Sequence, residues 1–267
     1  MKARKRFGQH FLSDPGVLER IIRAMRPLPS EQLLEIGPGQ GALTEYLVRE
    51  VDAVDAAGRY VAVEIDRDLV PFLKARFPRI DIVNADILRV DLRELFANGP
   101  GWRVVGNLPY NISTPLLVLL LKHLPRIRDM YFMLQREVAE RLAAVPGTKA
   151  WGRLTVLMQY HCQVEHLFDV APESFTPPPR VWSAVIRVIP RSEKPPVDLD
   201  RLDIVLRHAF SQRRKRLANA LQLLSIDWPA SGVDPGLRAD AVSVAGYVAL
   251  ARGLATDGLP GGGPSGD

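Results

Sequence analysis

The chain of 267 residues has a single cysteine, Cys162. One thiol excludes an intramolecular disulfide framework and any CxxC redox or zinc motif. Long apolar runs are missing too. The longest, PLLVLLL from Pro115 to Leu121, falls well short of the roughly 20 residues that a membrane helix needs. The basic N-terminus MKARKRFGQHFL has neither the apolar h-region nor the small-residue cleavage site of a secretion signal. These absences predict a cytoplasmic protein without membrane attachment. Acidic residues are slightly in deficit, 30 Asp plus Glu against 35 Lys plus Arg, for a net charge of +5. No internal repeat is evident.

What is present is ample material for a core. A hydrophobic content of 47% predicts a folded chain, and its length allows one large domain or a main domain with a small appendage. SDPG supplies a helix cap at Ser13 or Asp14 with Pro15 in the first turn. Leu18, Ile21, Ile22 and Met25 follow at helical spacing. Short apolar runs then alternate with helical patterns: QLLEI (32–36), YVAVEI (60–65), DIVNA (81–85), WRVVGN (102–107) and DMYFMLQ (129–135). That rhythm predicts an α/β fold with a mostly parallel sheet covered on both faces. SAVIRVI (183–189) reads as a last strand, antiparallel at the sheet's edge. PRSEKPPVD looks like a linker, and only helical patterns follow it. The expected division is a main domain over 1–190, a small all-helical domain over 195–255 and a disordered tail over 257–267.

Positive charge is clustered. Lys2, Arg4, Lys5 and Arg6 fall within six residues, and Arg213, Arg214, Lys215 and Arg216 are consecutive. Such clusters favour phosphate backbones by displacing counterions. A solvated terminus and a solvated helix face are the alternative readings.

EIGPGQG, from Glu35 to Gly41, lies between a predicted strand and a predicted helix. Gly37, Gly39 and Gly41 form a turn that lets a ligand approach the backbone closely. Many nucleotide-binding proteins use such turns, so the acidic residues beyond it matter more. Glu64, near the end of the second strand, is placed to accept both hydroxyls of a ribose. Asp86 follows the third strand, where it can meet an adenine amino group. Pro38 does not suit a pyrophosphate cradle, which needs successive free N–H groups. A cofactor with ribose and adenine but no phosphate fits, and S-adenosylmethionine is the obvious one. Glu35 is compatible with its positive sulfonium, or braces the loop.

NLPYNIST, from Asn107 to Thr114, puts an amide, a proline turn and an aromatic ring at the open end of the fourth strand. The Asn107 carbonyl can accept a hydrogen bond from an exocyclic amine, and the Leu108 main-chain carbonyl, held by Pro109, can accept a second. Two such acceptors keep the amine lone pair out of ring conjugation. Tyr110 offers a face for the base, and Ser113 or Thr114 is expected to cap the next helix. Phe175, ahead of Pro177 to Pro179 in SFTPPPRVWSAV, can close the other face of an unpaired base; a core phenylalanine is the alternative. His161, Cys162 and His166 sit in the apolar segment MQYHCQVEHLF, where no further cysteine completes a zinc site. No metal is expected.

These motifs occur together and in order: RKRFGQHFL, EIGPGQGALT, VVGNLPYNISTPLL, FMLQREVAERL, FTPPPRVWSAV and FSQRRKRLANAL. As a set they resemble the bacterial branch of the KsgA family of small-subunit ribosomal RNA adenine N6,N6-dimethyltransferases, over roughly residues 4–252. The resemblance implies a class I S-adenosylmethionine-dependent methyltransferase domain, Rossmann-like with a seven-stranded sheet, and a small helical domain behind it. It implies dimethylation of two adjacent adenosines in the 3′-terminal hairpin loop of 16S rRNA, on a partly assembled small subunit, by a monomer. It carries cofactor contact onto His10, Leu12, Gly37, Gly39, Glu64, Asp86 and Asn107. Many relatives have asparagine where this chain has His10. Asn107, Leu108, Pro109 and Tyr110 match the catalytic motif, and Phe175 the stacking aromatic. Lys5, Arg6, Arg213, Arg214, Lys215 and Arg216 are expected to contact RNA. A large-subunit rRNA dimethylase of the macrolide-resistance type, and an assembly factor that has lost catalysis, are the rival readings.

Overall fold

The structure is a computed structural model that describes residues 9–51 and 59–255. Lys5, Arg6 and the tail 257–267 lie outside the described residues. Two compact units emerge: Met1–Ala139 with Gln163–Pro190, and Glu140–Cys162 with Arg191–Asp267. Residues 140–162, expected within the 1–190 domain, thus pack into the second unit.

In chain order the first unit contains β1 (Phe11–Leu12), α1 (Pro15–Met25), β2 (Gln32–Ile36), α2 (Ala42–Glu50), β3 (Arg59–Glu64), α3 (Val70–Arg76) and β4 (Asp81–Asn84). It continues with α4 (Leu92–Leu95), β5 (Trp102–Asn107), α5 (Ser113–Leu121) and β6 (Ile127–Gln135). Helices α6 (Arg136–Leu142) and α7 (Arg153–His161) come next, then β7 (Cys162–Val170), β8 (Phe175–Thr176) and β9 (Ser183–Pro190).

Seven strands form the main sheet in the order β4-β3-β2-β5-β6-β9-β7. The pairs β4–β3, β3–β2, β2–β5 and β5–β6 are parallel, and β6–β9 is antiparallel. The SAVIRVI strand is therefore antiparallel as expected, but it is not the edge. That position belongs to β7, whose sequence CQVEHLFDV is half-exposed or exposed at every position between its buried ends, Cys162 and Val170. Strand order reverses around β2, which has β3 on one side and β5 on the other. In an open α/β sheet that reversal leaves a crevice at the carboxyl ends of the two diverging strands.

The central strands are buried on both faces, so neighbours such as Leu33 and Leu34 are both inaccessible to solvent. Leu18, Ile21 and Met25 of α1 pack in one core with Leu33, Val105 and Tyr131. Asp14 caps α1, accepting from the amides of Gly16 and Val17 at 2.8 and 3.2 Å. At the other end of α1, buried Arg103 donates to the carbonyls of Met25 and Arg26. Those are unpaired helix-terminal acceptors at the negative end of the dipole. Asp129 and Glu31 hold the same guanidinium at 2.8 and 3.0 Å.

In the second unit α8 (Leu199–Ser211), α9 (Leu217–Ala220), α10 (Trp228–Ser231) and α11 (Val244–Arg252) join α7. Trp151, Val156, Leu202, Leu206, Tyr247 and Leu250 belong to their shared core. The Trp151 indole N–H donates to the Val242 carbonyl at 3.0 Å. Lys194 donates to His161 Nδ1 at 2.9 Å. Burial, with Lys194 adding to it, pushes the imidazole down to about 4, and burial pushes the Cys162 thiol up to about 12. In the first unit, His166 Nε2 lies 2.9 Å from Asp169.

Candidate active site

A cleft of about 1260 Å³ opens at the carboxyl ends of β2, β3 and β5, within the first unit. Its size exceeds the roughly 300–1,000 Å³ of a single small-ligand pocket, which leaves room for two ligands side by side. His10, Leu12, Gly37, Glu64, Asp86 and Asn107 all line it, as do Gly39 and the Leu108–Tyr110 segment. The sequence-predicted cofactor set is thereby brought to one place.

The glycine loop adopts positive φ at Gly37, Gly39 and Gly41, at 68°, 59° and 79°. Its amides are consumed internally. Gly37 N–H donates to the Val63 carbonyl at 2.9 Å and Gly41 N–H to the Pro38 carbonyl at 2.8 Å. Gly39 N–H donates to Glu64 Oε2 at 3.0 Å, and Pro38 has no N–H to offer. A loop with these amides spoken for does not cradle a pyrophosphate, and the residues present suit an uncharged ribose and adenine.

Glu64 is buried, and its second oxygen accepts from the Asp66 amide at 2.8 Å. Burial raises its pKa, with the two amide bonds pulling the other way. The carboxylate thus braces the loop and keeps unused lone pairs for a ligand. Asp86 is oriented by accepting from the Leu88 amide at 3.0 Å. Glu35 is buried below the loop, where Tyr60 and Thr44 donate to its Oε2 at 2.6 and 2.8 Å. Burial, together with the nearby Glu64, raises it to about 7 against those two hydrogen bonds.

Asn107 ends β5, and its amide nitrogen donates to the His10 carbonyl at 2.9 Å. A carbonyl only accepts, so the nitrogen is assigned and Oδ1 is left as the acceptor. Pro109's carbonyl is occupied by the Ile112 amide and the Ser113 hydroxyl, both at 3.1 Å. Ser113 therefore bonds backward rather than capping α5, whose N-cap residue is Ile112 and carries no side-chain cap. Among the described residues no amide of this turn donates to the Leu108 carbonyl. Tyr110 is half-buried, with its hydroxyl 3.2 Å from Ser183 Oγ, and burial raises its pKa.

The N-terminal segment closes one side of the site. Strand β1 pairs antiparallel with β8, Leu12 opposite Phe175 and Phe11 opposite Thr176. His10 Nδ1 donates to the Pro177 carbonyl at 2.8 Å, and its ring lies nearly parallel to Tyr110, centroids 6.1 Å apart. Phe175 itself is only 3% exposed and sits in the core with Tyr131 and Val185. It is not among the cleft-lining residues. In this arrangement the loop aromatic is a core residue beside the cleft and presents no face to it.

Sequence reasoning missed three participants. Phe11 packs so closely on the glycine loop that a Cβ at Gly39 would lie 2.9 Å from its ring. Gln9 donates to the buried Asp66 at 3.1 Å. Ile65 follows Glu64 into the cleft although it is 45% exposed. An apolar residue directly after the strand's acid was its one available signal; Gln9 and Phe11 offered none. In the second unit Arg214, Lys215 and Arg216 are exposed. Arg213 is instead turned inward, donating to the Lys149 carbonyl at 2.5 Å, with Asp240 3.9 Å away.

The model of the ribosomal RNA adenine dimethylase family matches residues 1–255. A Pseudomonas aeruginosa protein, ribosomal RNA small subunit methyltransferase A, is 51% identical over 267 residues, covering 97% of both chains. Its counterpart in Pseudomonas syringae pv. syringae is 50% identical over 260 residues, covering 95% of both. Among solved structures, a dimethyladenosine transferase from Plasmodium falciparum superposes with a TM-score of 0.76 at 25% identity, over 90% of this chain and 96% of that one. The 23S rRNA methyltransferase ErmE gives 0.71 at 25% identity, over 91% and 99%. The fold is that of class I S-adenosylmethionine-dependent methyltransferases, and the chain belongs to the ribosomal RNA adenine dimethylase family.

Proposed function

We propose that this enzyme dimethylates N6 of two adjacent adenosines in the 3′-terminal hairpin loop of 16S rRNA, on a partly assembled small ribosomal subunit. The target rests on relatives about half identical over nearly the whole chain and named for the small subunit. The chemistry rests on one observation, the bond from Asn107 to His10 that leaves Oδ1 as the free acceptor.

S-adenosylmethionine, when bound, supplies a methyl group on a sulfonium. Gly37 and Gly39 let it approach the backbone, Glu64 accepts from its ribose, Asp86 meets its adenine, and His10 and Leu12 border it. The substrate amine sits between Asn107 Oδ1 and the Leu108 carbonyl. In the first transfer both accept N6 hydrogens, which turns the nitrogen lone pair out of the ring and makes it nucleophilic without a formal base. One of those protons leaves after the methyl arrives, so the second transfer has a single N6 hydrogen, held by one of the two acceptors. Tyr110 holds the base plane, so rate comes from orientation and placed dipoles. Phe175, in the core beside the cleft, reaches the other face only by turning out of that packing. Lys5, Arg6, Arg214, Lys215 and Arg216 contact RNA phosphates, and the helical unit selects the RNA. Among the described residues no helix is long and apolar enough to cross a membrane, in keeping with action in the cytoplasm.

The test uses small subunits from cells lacking this modification, with modified subunits and large-subunit RNA as controls. Labelled S-adenosylmethionine is added and the nucleosides are identified by mass spectrometry. Two methyl groups on each of two adjacent adenosines is the expected product. Label confined to large-subunit RNA would replace the target. Tight particle binding without label would point to an assembly factor.

A further inference from the structure

Large exposed apolar groups need an explanation where they cluster. Of the four tryptophans, Trp102 and Trp151 are fully buried, whereas Trp182 is 47% exposed beside Val181 at 44%. The two follow Pro177–Pro179 and precede β9, whose first residue Ser183 pairs with Gln135 at the carboxyl end of β6. The platform is held firmly. Arg136 N–H donates to the Trp182 carbonyl at 2.9 Å. Ser183, the next residue, pairs with Gln135 in the sheet and meets the Tyr110 hydroxyl at 3.2 Å. The exposed indole is thus on the residue directly before the one whose side chain meets the catalytic motif.

Two arginines lie near it in space or in sequence. The Arg136 guanidinium lies 5.9 Å from the indole centroid, within cation–π range, and is also 3.7 Å from Asp169. Arg180 is exposed, and among the described residues it forms no ion pair. A half-exposed indole with the Arg136 guanidinium near its ring and exposed Arg180 two residues before it matches the chemistry of single-stranded RNA, where bases stack on aromatic faces and phosphates meet arginine.

We propose that Trp182 and Arg180 form a stacking platform for an unpaired nucleotide flanking the target adenosine. The proposal rests on the RNA substrate and not on which subunit supplies it. Trp182→Ala, Trp182→Phe, Trp182→Leu and Arg180→Ala full-length enzymes are compared on undermethylated small subunits. Trp182→Ala raises KM for the particle about tenfold, the effect of one lost base stack. Its kcat, cofactor Kd and thermal midpoint stay at wild-type values. Phenylalanine restores KM to within about threefold, and leucine does not. Arg180→Ala weakens binding and lowers its salt dependence by roughly one counterion. An unchanged KM in Trp182→Ala, or equal rescue by leucine and phenylalanine, overturns the proposal. Should wild-type enzyme label only large-subunit RNA, the target assignment fails and the same series is run on that RNA. A tryptophan-dependent KM there supports the platform, and an independent one refutes it.

Discussion

The side chain of Asn107 and the main chain of His10, 97 residues apart in sequence, share a 2.9 Å hydrogen bond. The bond fixes which end of the amide faces the cleft. Asn107→Ala removes the acceptor, and kcat should fall on the order of 10²- to 10³-fold with an unchanged unfolding midpoint. Asn107→Asp sets a carboxylate against the His10 carbonyl. Hydrogen exchange at residues 9–12 should accelerate in that variant and not in Asn107→Gln.

The pH dependence of stability should carry the mark of Glu35. Its ordinary value is 4.5 and burial raises it to about 7 in the fold. Between those values the folded state keeps a proton that the unfolded chain has released. Stability is therefore greatest below pH 4.5 for this group and is lost as pH rises to about 7, by roughly 3 kcal/mol. Glu35→Gln keeps an acceptor for Tyr60 and Thr44 and should flatten that part of the profile. Urea titrations at pH 5 and pH 8 check it, with Glu64 contributing a residual slope of the same sign.

Gly106 lets β2 and β5 approach. A Cβ there would lie 2.6 Å from the Ile36 carbonyl and 3.0 Å from Leu108, and main chain cannot swing aside as a side chain can. Gly106→Ala should cost at least the 1–3 kcal/mol typical of overpacking and weaken cofactor binding by calorimetry, because both flanking loops shift.

Arg103→Ala should be the most damaging change far from the cleft. It leaves Asp129 buried and removes its main partner, a loss that typically costs 3–5 kcal/mol. Arg187, 3.4 Å from Asp129, compensates in part, so the lower end of that range is expected in denaturant titration.

The basic run should divide by role. Arg214→Ala and Lys215→Ala should leave stability intact and each lower the salt dependence of particle binding by roughly one counterion. Arg213→Ala should instead destabilise the protein by about 1 kcal/mol, having lost its carbonyl partner at Lys149.

Much of this was legible before any coordinates. The parallel sheet showed itself because buried strands read as apolar runs, and Gly37, Glu64 and Asp86 were placed at one cleft because they lie at or just beyond the ends of such strands. His10 and Leu12 came from the family resemblance alone. What stayed hidden follows from physics that one sequence does not display. β7 escaped because Gln163, Glu165, His166 and Asp169 break its apolar character, as an edge strand's exposed positions do. The unit boundary at 140 was invisible because α6 runs through it without punctuation. Phe175 was ambiguous because an aromatic ring serves a core and a base equally well.

The pairing of Phe11 and Leu12 with Thr176 and Phe175 also bears on when the enzyme becomes competent. A ribosome releases the N-terminal segment first and its ladder partners only after about two-thirds of the chain has been made. Until then the segment carrying His10 has no second strand to hold it, and the nascent cleft lacks one side. An enzyme of ribosomal RNA is thus kept idle during most of its own translation by the order in which its residues emerge.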